Sequence, residues 1–105
     1  MISQRVIEEA VRILRESASP SRIILFGSYA RGDPKPHSDL DLLVIHRGWV
    51  DKRAERVRLR EALLPLKVPV DVMVVTEEEV KEYGHLIGTS LYPALKEGKV
   101  LYDTS

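Results

Sequence analysis

Three short apolar runs, at residues 23–26, 40–45 and 68–75, constrain the fold of this chain more than any other feature. Each is brief, aliphatic and bounded by turn formers, which is the pattern of a buried strand. The segments between them carry a different period. Val6, Ile7, Ala10, Val11 and Leu14 recur at helical spacing, so an amphipathic helix is expected from about residue 3 to about 17, with Ser3 as its N-cap. Ser19-Pro20-Ser21 ends that helix. A helical turn is expected over residues 28–32, then a loop in which Pro34 and Pro36 remove donors and fix φ. A helix over residues 51–64 should stop near Pro65. Pro69 is expected at the mouth of the third strand, where a missing N–H is tolerable. Thr76 and Glu79 have capping-box spacing, which predicts a helix running to about Tyr83. A further helix at about 89–96 should end at Gly98, and residues 99–102 should form an edge strand. The whole is an α/β fold: a small mixed sheet flanked by helices, in one domain spanning residues 1–105.

Composition narrows the class of activity. The net charge is zero with 30% charged residues, so no global field draws the chain onto nucleic acid or an anionic membrane. Direct nucleic-acid binding is not expected. Cysteine is absent, which removes disulfides, thiolate zinc sites and cysteine nucleophiles. The apolar runs are far shorter than a membrane span, and no secretory signal is apparent at the N-terminus, so a cytoplasmic protein is expected.

The chemistry concentrates where the apolar runs begin and end. Gly27-Ser28 leaves the first run, and Asp39-Leu40-Asp41 enters the second. A Gly-Ser turn after a strand presents backbone N–H groups and a hydroxyl to a phosphate. Asp39 and Asp41, spaced i, i+2 on a strand, point to one face. Asp71 sits inside the third apolar run, where an ionised carboxylate is costly unless paired, solvated or metal-bound. If the second and third strands are neighbours, the three carboxylates meet at one sheet end. Their mutual repulsion is roughly 4 kcal/mol per close pair at an effective dielectric near 20, a cost that bound cations would relieve. An all-oxygen donor set suits Mg²⁺ or Mn²⁺, and two such ions about 3.5–4 Å apart can brace an in-line displacement. The expected assignment is Asp39, Asp41 and Asp71 as metal ligands and catalytic carboxylates. Asp71 would also accept or relay the proton of the attacking hydroxyl. Gly27 and Ser28 would hold the phosphates of a nucleoside triphosphate, and Arg31 would add charge beside the pyrophosphate leaving group.

These residues carry a resemblance. Leu25-Phe26-Gly27-Ser28-Tyr29-Ala30-Arg31-Gly32, followed by Ser38-Asp39-Leu40-Asp41-Leu42-Leu43-Val44, resembles the minimal nucleotidyltransferases of the DNA polymerase beta superfamily. The likeness covers nearly the whole chain, including the ending Gly98-Lys99-Val100-Leu101-Tyr102. It implies a polymerase-beta-like palm and transfer of a nucleoside monophosphate to a hydroxyl, with Mg²⁺ as cofactor and ATP as substrate. Within that superfamily the chain is most similar to antitoxins encoded beside a HEPN-domain ribonuclease toxin, some of which adenylylate a tyrosine of that toxin. A hetero-oligomer with such a partner is therefore expected. Tyr29 stands where many relatives carry arginine. Two other readings stay open: an antitoxin that blocks its partner by contact alone, and an enzyme acting on a nucleic acid or small molecule.

The remaining features point less clearly. Arg53, Arg56 and Arg60 share a helix face, which fits an acidic partner surface, RNA phosphates or plain solvent. His37, His46 and His85 show no ligand spacing. Trp49 is expected to pack against its own domain.

Overall fold

The computed structural model describes residues 1–104. Its elements run α1 (Gln4–Ala18), β1 (Arg22–Phe26), α2 (Ser28–Arg31), β2 (Leu40–His46), α3 (Lys52–Ala62), a 3₁₀ turn (Leu64–Leu66), β3 (Val70–Thr76), α4 (Glu77–Tyr83), α5 (Leu91–Glu97) and β4 (Lys99–Asp103). Among the described residues no helix is long and apolar enough to cross a membrane.

The four strands form one mixed sheet in the order β3-β2-β1-β4. β1 runs antiparallel to both β2 and β4, whereas β2 and β3 are parallel. A parallel neighbour requires a crossover, and α3 with its following 3₁₀ turn supplies it. Both parallel strands therefore begin at the same end of the sheet. That single fact places the first residues of β2 beside the first residues of β3.

Helices cover the sheet on two faces, and strand alternation divides the core between them. Ile23, Leu25, Leu40, Leu42, Val44, Val72 and Val74 pack against Ile7, Ala10 and Leu14 of α1 and Leu59 of α3. Ile24, Leu43, Ile45 and Val75 pack on the other side against Leu91 and Ala94 of α5. β2 is thus buried on both faces, which is why it reads as a continuous apolar run rather than an alternating one. Leu42, Leu43 and Ile45 are fully buried, and each such side chain contributes roughly 1.5–3 kcal/mol over leaving it in water.

The element ends follow their local chemistry. Ser3 Oγ accepts from Val6 N–H at the start of α1, and Asp51 caps α3 by accepting from Ala54 N–H. Thr76 and Glu79 form the full reciprocal capping box at the start of α4. Three boundaries differ from expectation by two residues. Helix α3 ends at Ala62, and Pro65 sits inside the 3₁₀ turn instead of marking a stop. β3 begins at Val70, not Val68, because Pro69 lacks an N–H and its carbonyl instead accepts from Leu40 N–H at 2.9 Å. α5 begins at Leu91, two residues later than expected.

Candidate active site

The carboxylates gather at the end of the sheet where β2 and β3 start. The parallel register sets Asp41 directly beside Asp71. By alternation Asp41 shares its face with Leu43 and Ile45, and Asp71 shares that same face with Met73 and Val75. Asp39 precedes β2 and is exposed at its entrance. It is delivered there by a closed turn: Lys35 N–H donates to Ser38 Oγ at 2.8 Å, and Ser38 N–H donates to Lys35 O at 3.0 Å.

Gly27 meets this group from β1. The antiparallel register pairs Phe26 with Asp41, so the next residue turns across the Asp41 side chain. Gly27 has φ 74°, and a Cβ there would overlap Asp41 Oδ2. Only glycine allows the backbone both that dihedral and that approach. α2 begins immediately, with Ala30 and Arg31 N–H groups donating back to Gly27 O at 3.1 Å. As the first residues of a helix, Ser28 and Tyr29 have no intrahelical acceptor for their own N–H groups, which are therefore available to an anion. Gly32 closes the turn in the left-handed region with φ 81°.

Electrostatics bear the mark of crowded negative charge. Burial pushes the Asp41 carboxyl above its ordinary value, and the charges of Asp71 and then Asp39 push it further, with Arg31 opposing them. The donor set is all oxygen and its charge is under-compensated, so these residues fit a hard divalent cation such as Mg²⁺. Among the described residues, no three His, Cys, Asp or Glu side chains are gathered tightly enough to hold an ion as they stand. Asp71 is drawn the other way, accepting from Arg56 Nη2 at 3.3 Å.

Two side chains differ from their expected placements. Arg31 lies 3.4 Å from Glu97 and 3.5 Å from Asp33, so it is held between two carboxylates rather than extended freely over the site. Trp49 does not pack against its own domain but is 89% exposed in the connection from β2 to α3. Tyr29 turns inward: its hydroxyl accepts from Ile2 N–H at 2.9 Å and its ring lies against the core. The Arg56 contact with Asp71 was not foreseen. Its only trace in the sequence is the basic face of α3, and which of those arginines reaches the sheet edge depends on the packing.

Comparison with known proteins gives the family and the fold. The chain is 35% identical to a candidate protein adenylyltransferase of Methanocaldococcus jannaschii, over 97% of this chain and all of the relative. It shares its fold with a chain of a toxin–antitoxin crystal structure containing AMP-PNP, at a TM-score of 0.67 and 24% identity, covering 93% of this chain and 74% of that one. A second shared fold comes from a complex of tri-AMPylated Shewanella oneidensis HEPN toxin with its MNT antitoxin (TM-score 0.63, 22% identity, 98% of this chain and 74% of that one). The sequence model of the nucleotidyltransferase domain spans residues 7–101, nearly everything from α1 to β4, and the chain belongs to that family of enzymes.

Proposed function

We propose that this chain is a Mg²⁺-dependent adenylyltransferase that moves AMP from ATP onto a protein hydroxyl, a tyrosine of a HEPN-type ribonuclease partner, and so acts as that partner's antitoxin. The observation that carries the reading is the side-by-side register of Asp41 and Asp71, with the Gly27 backbone pressed against Asp41. The Methanocaldococcus relative is named for protein adenylyl transfer, and the Shewanella complex holds an AMPylated toxin. Both support the choice of AMP and of a protein acceptor.

In this reading the Ser28 hydroxyl and the first N–H groups of α2 hold the terminal phosphates, and Arg31 adds positive charge on the same side. Asp39, Asp41 and Asp71 would hold Mg²⁺, which when bound would supply the charge compensation that lets an anionic triphosphate approach these carboxylates. The acceptor oxygen attacks the α-phosphorus, the bond from that phosphorus to the β-bridging oxygen breaks, and pyrophosphate leaves with the bonding pair. The acceptor's proton passes to the Asp71 carboxylate, which stands at the open edge of the sheet where a hydroxyl can reach it.

Co-expression with a HEPN-domain ribonuclease, sought in the gene next to this chain's own, tests the proposal. Intact mass of the partner should show added AMP with the wild-type chain, and Asp39→Asn with Asp41→Asn should reduce that transfer on the order of a hundredfold or more. If the double variant protects cells as well as the wild type, neutralisation is by contact and the catalytic reading fails.

A further inference from the structure

The exposed Trp49 does not stand alone. It lines a cavity of about 390 Å³ together with Glu78, Glu82 and Tyr83 of α4, and the Tyr83 side is open too, at 43% exposure. Tryptophan and tyrosine are the residue types most often found at the energetic centre of a protein–protein contact. The cavity lies at the exits of β2 and β3, where the register pairs His46 with Thr76, whereas Asp41 and Asp71 are paired near the entrances. From Asp41 to His46 the strand covers roughly 17 Å, so this cleft is no part of the candidate active site. Its two walls are tied together. Lys52 Nζ donates to Glu79 Oε2 at 2.6 Å, joining the start of α3 to the first turn of α4. A cleft held in this way has little freedom left to lose when a partner enters.

The charges of the lining say what that partner is. Of the two cations, Lys52 is neutralised by Glu79, and Arg47 Nη2 donates to Thr104 Oγ1 at 2.7 Å. Glu78 and Glu82 are exposed, and among the described residues neither takes part in an ion pair. They fall at i, i+4 on α4, a spacing at which like charges disfavour the helix and a cation set between them would reverse the effect. Aromatic rings beside free carboxylates suit a guanidinium or ammonium, which both kinds of group attract. We infer that the Trp49–Tyr83 cleft docks a basic protein segment, an arginine or lysine of which lies on the aromatic side chains and pairs with Glu78 and Glu82. The same carboxylates repel nucleic-acid phosphates and anionic lipid, the other ligands that an exposed tryptophan could serve. The inference stands apart from the transfer reaction, because Asp39, Asp41 and Asp71 do not line the cleft.

Trp49 is the only tryptophan of the chain, so its fluorescence reports on the cleft directly. The probe is an amidated peptide of alternating arginine and leucine, titrated into the wild-type chain. It should give a saturable change in Trp49 emission, with an affinity that weakens as salt rises. Glu78→Gln with Glu82→Gln, and separately Tyr83→Ala, change exposed side chains and should fold normally. Each should raise the Kd for the peptide on the order of tenfold. Asp39→Asn with Asp41→Asn should leave that Kd unchanged. No saturable change overturns the inference, as does equal affinity for the same peptide with glutamate in place of arginine. Binding lost in the Asp39 and Asp41 variant but kept in the Glu78 and Glu82 variant would place the peptide on the other carboxylates and overturn it. An emission change with single-stranded RNA or phosphatidylserine vesicles, and none with the peptide, would assign the cleft to those ligands and overturn it as well.

Discussion

Gly27 is where backbone freedom and charge chemistry meet. Its φ of 74° and the Asp41 oxygen facing it leave no room for a side chain. Gly27→Ala should cost about 1–3 kcal/mol of stability through strain, and it should also displace Asp41. Thermal unfolding reads the first effect, and loss of the Tm rise with Mg²⁺ and ATP reads the second. The carboxylates behave in the opposite sense. Asp41 is held above its ordinary pKa by burial, then by Asp71 and Asp39, so the folded chain without ligand stores repulsion that the unfolded chain does not. Asp39→Asn with Asp41→Asn should therefore leave the unliganded Tm no lower than wild type, while abolishing the gain from Mg²⁺ and ATP. A large fall in the unliganded Tm of that variant would show that the carboxylates are structural.

The helix that follows β3 is fixed at its first turn by two separate devices. Thr76 and Glu79 cap it reciprocally, with Glu79 N–H donating to Thr76 Oγ1 at 3.2 Å and Thr76 N–H donating to Glu79 Oε1 at 3.1 Å. Thr76→Ala should cost about 1 kcal/mol in denaturant unfolding. Glu77 ties the same turn to β1, taking Arg22 Nη2 at 2.7 Å and Ser21 Oγ at 2.6 Å. The hydrogen bonds from Arg22 and then Ser21 hold the Glu77 carboxyl below its ordinary value of 4.5, against burial that opposes them. A folded value below the unfolded one means that this stability is present above pH 4.5 and is lost as pH falls through the lower, folded value. Glu77→Gln should flatten that part of the acid limb, at a cost near neutral pH of about 1 kcal/mol because the pair is partly solvated. The capping box was legible from Thr76 and Glu79 alone, and so were β1 and β2, whose apolar runs are bracketed by Gly27 and Asp39. The Arg22–Glu77 tie, the Arg56–Asp71 contact and the exposure of Trp49 were not. Each depends on which elements become neighbours, and residue spacing within one element does not encode that. The start of β3 was misread for a related reason. Val68 and Pro69 extend the apolar run, but Pro69 has no N–H to give to a ladder.

At the scale of the whole molecule, one topological choice assembles the site. Making β2 and β3 parallel brings two strand entrances together, and placing β1 on the other side of β2 brings the Gly27 turn against them. Residues far apart in the chain thereby meet within a small α/β body whose radius of gyration is 12.9 Å. The most direct measurement is anomalous diffraction from crystals grown with Mn²⁺ and a non-hydrolysable ATP analogue. The account predicts manganese peaks bridged by the side chains of Asp39, Asp41 and Asp71, with the terminal phosphates on Ser28. Nucleotide bound elsewhere, or those three carboxylates apart with no peak among them, would contradict it.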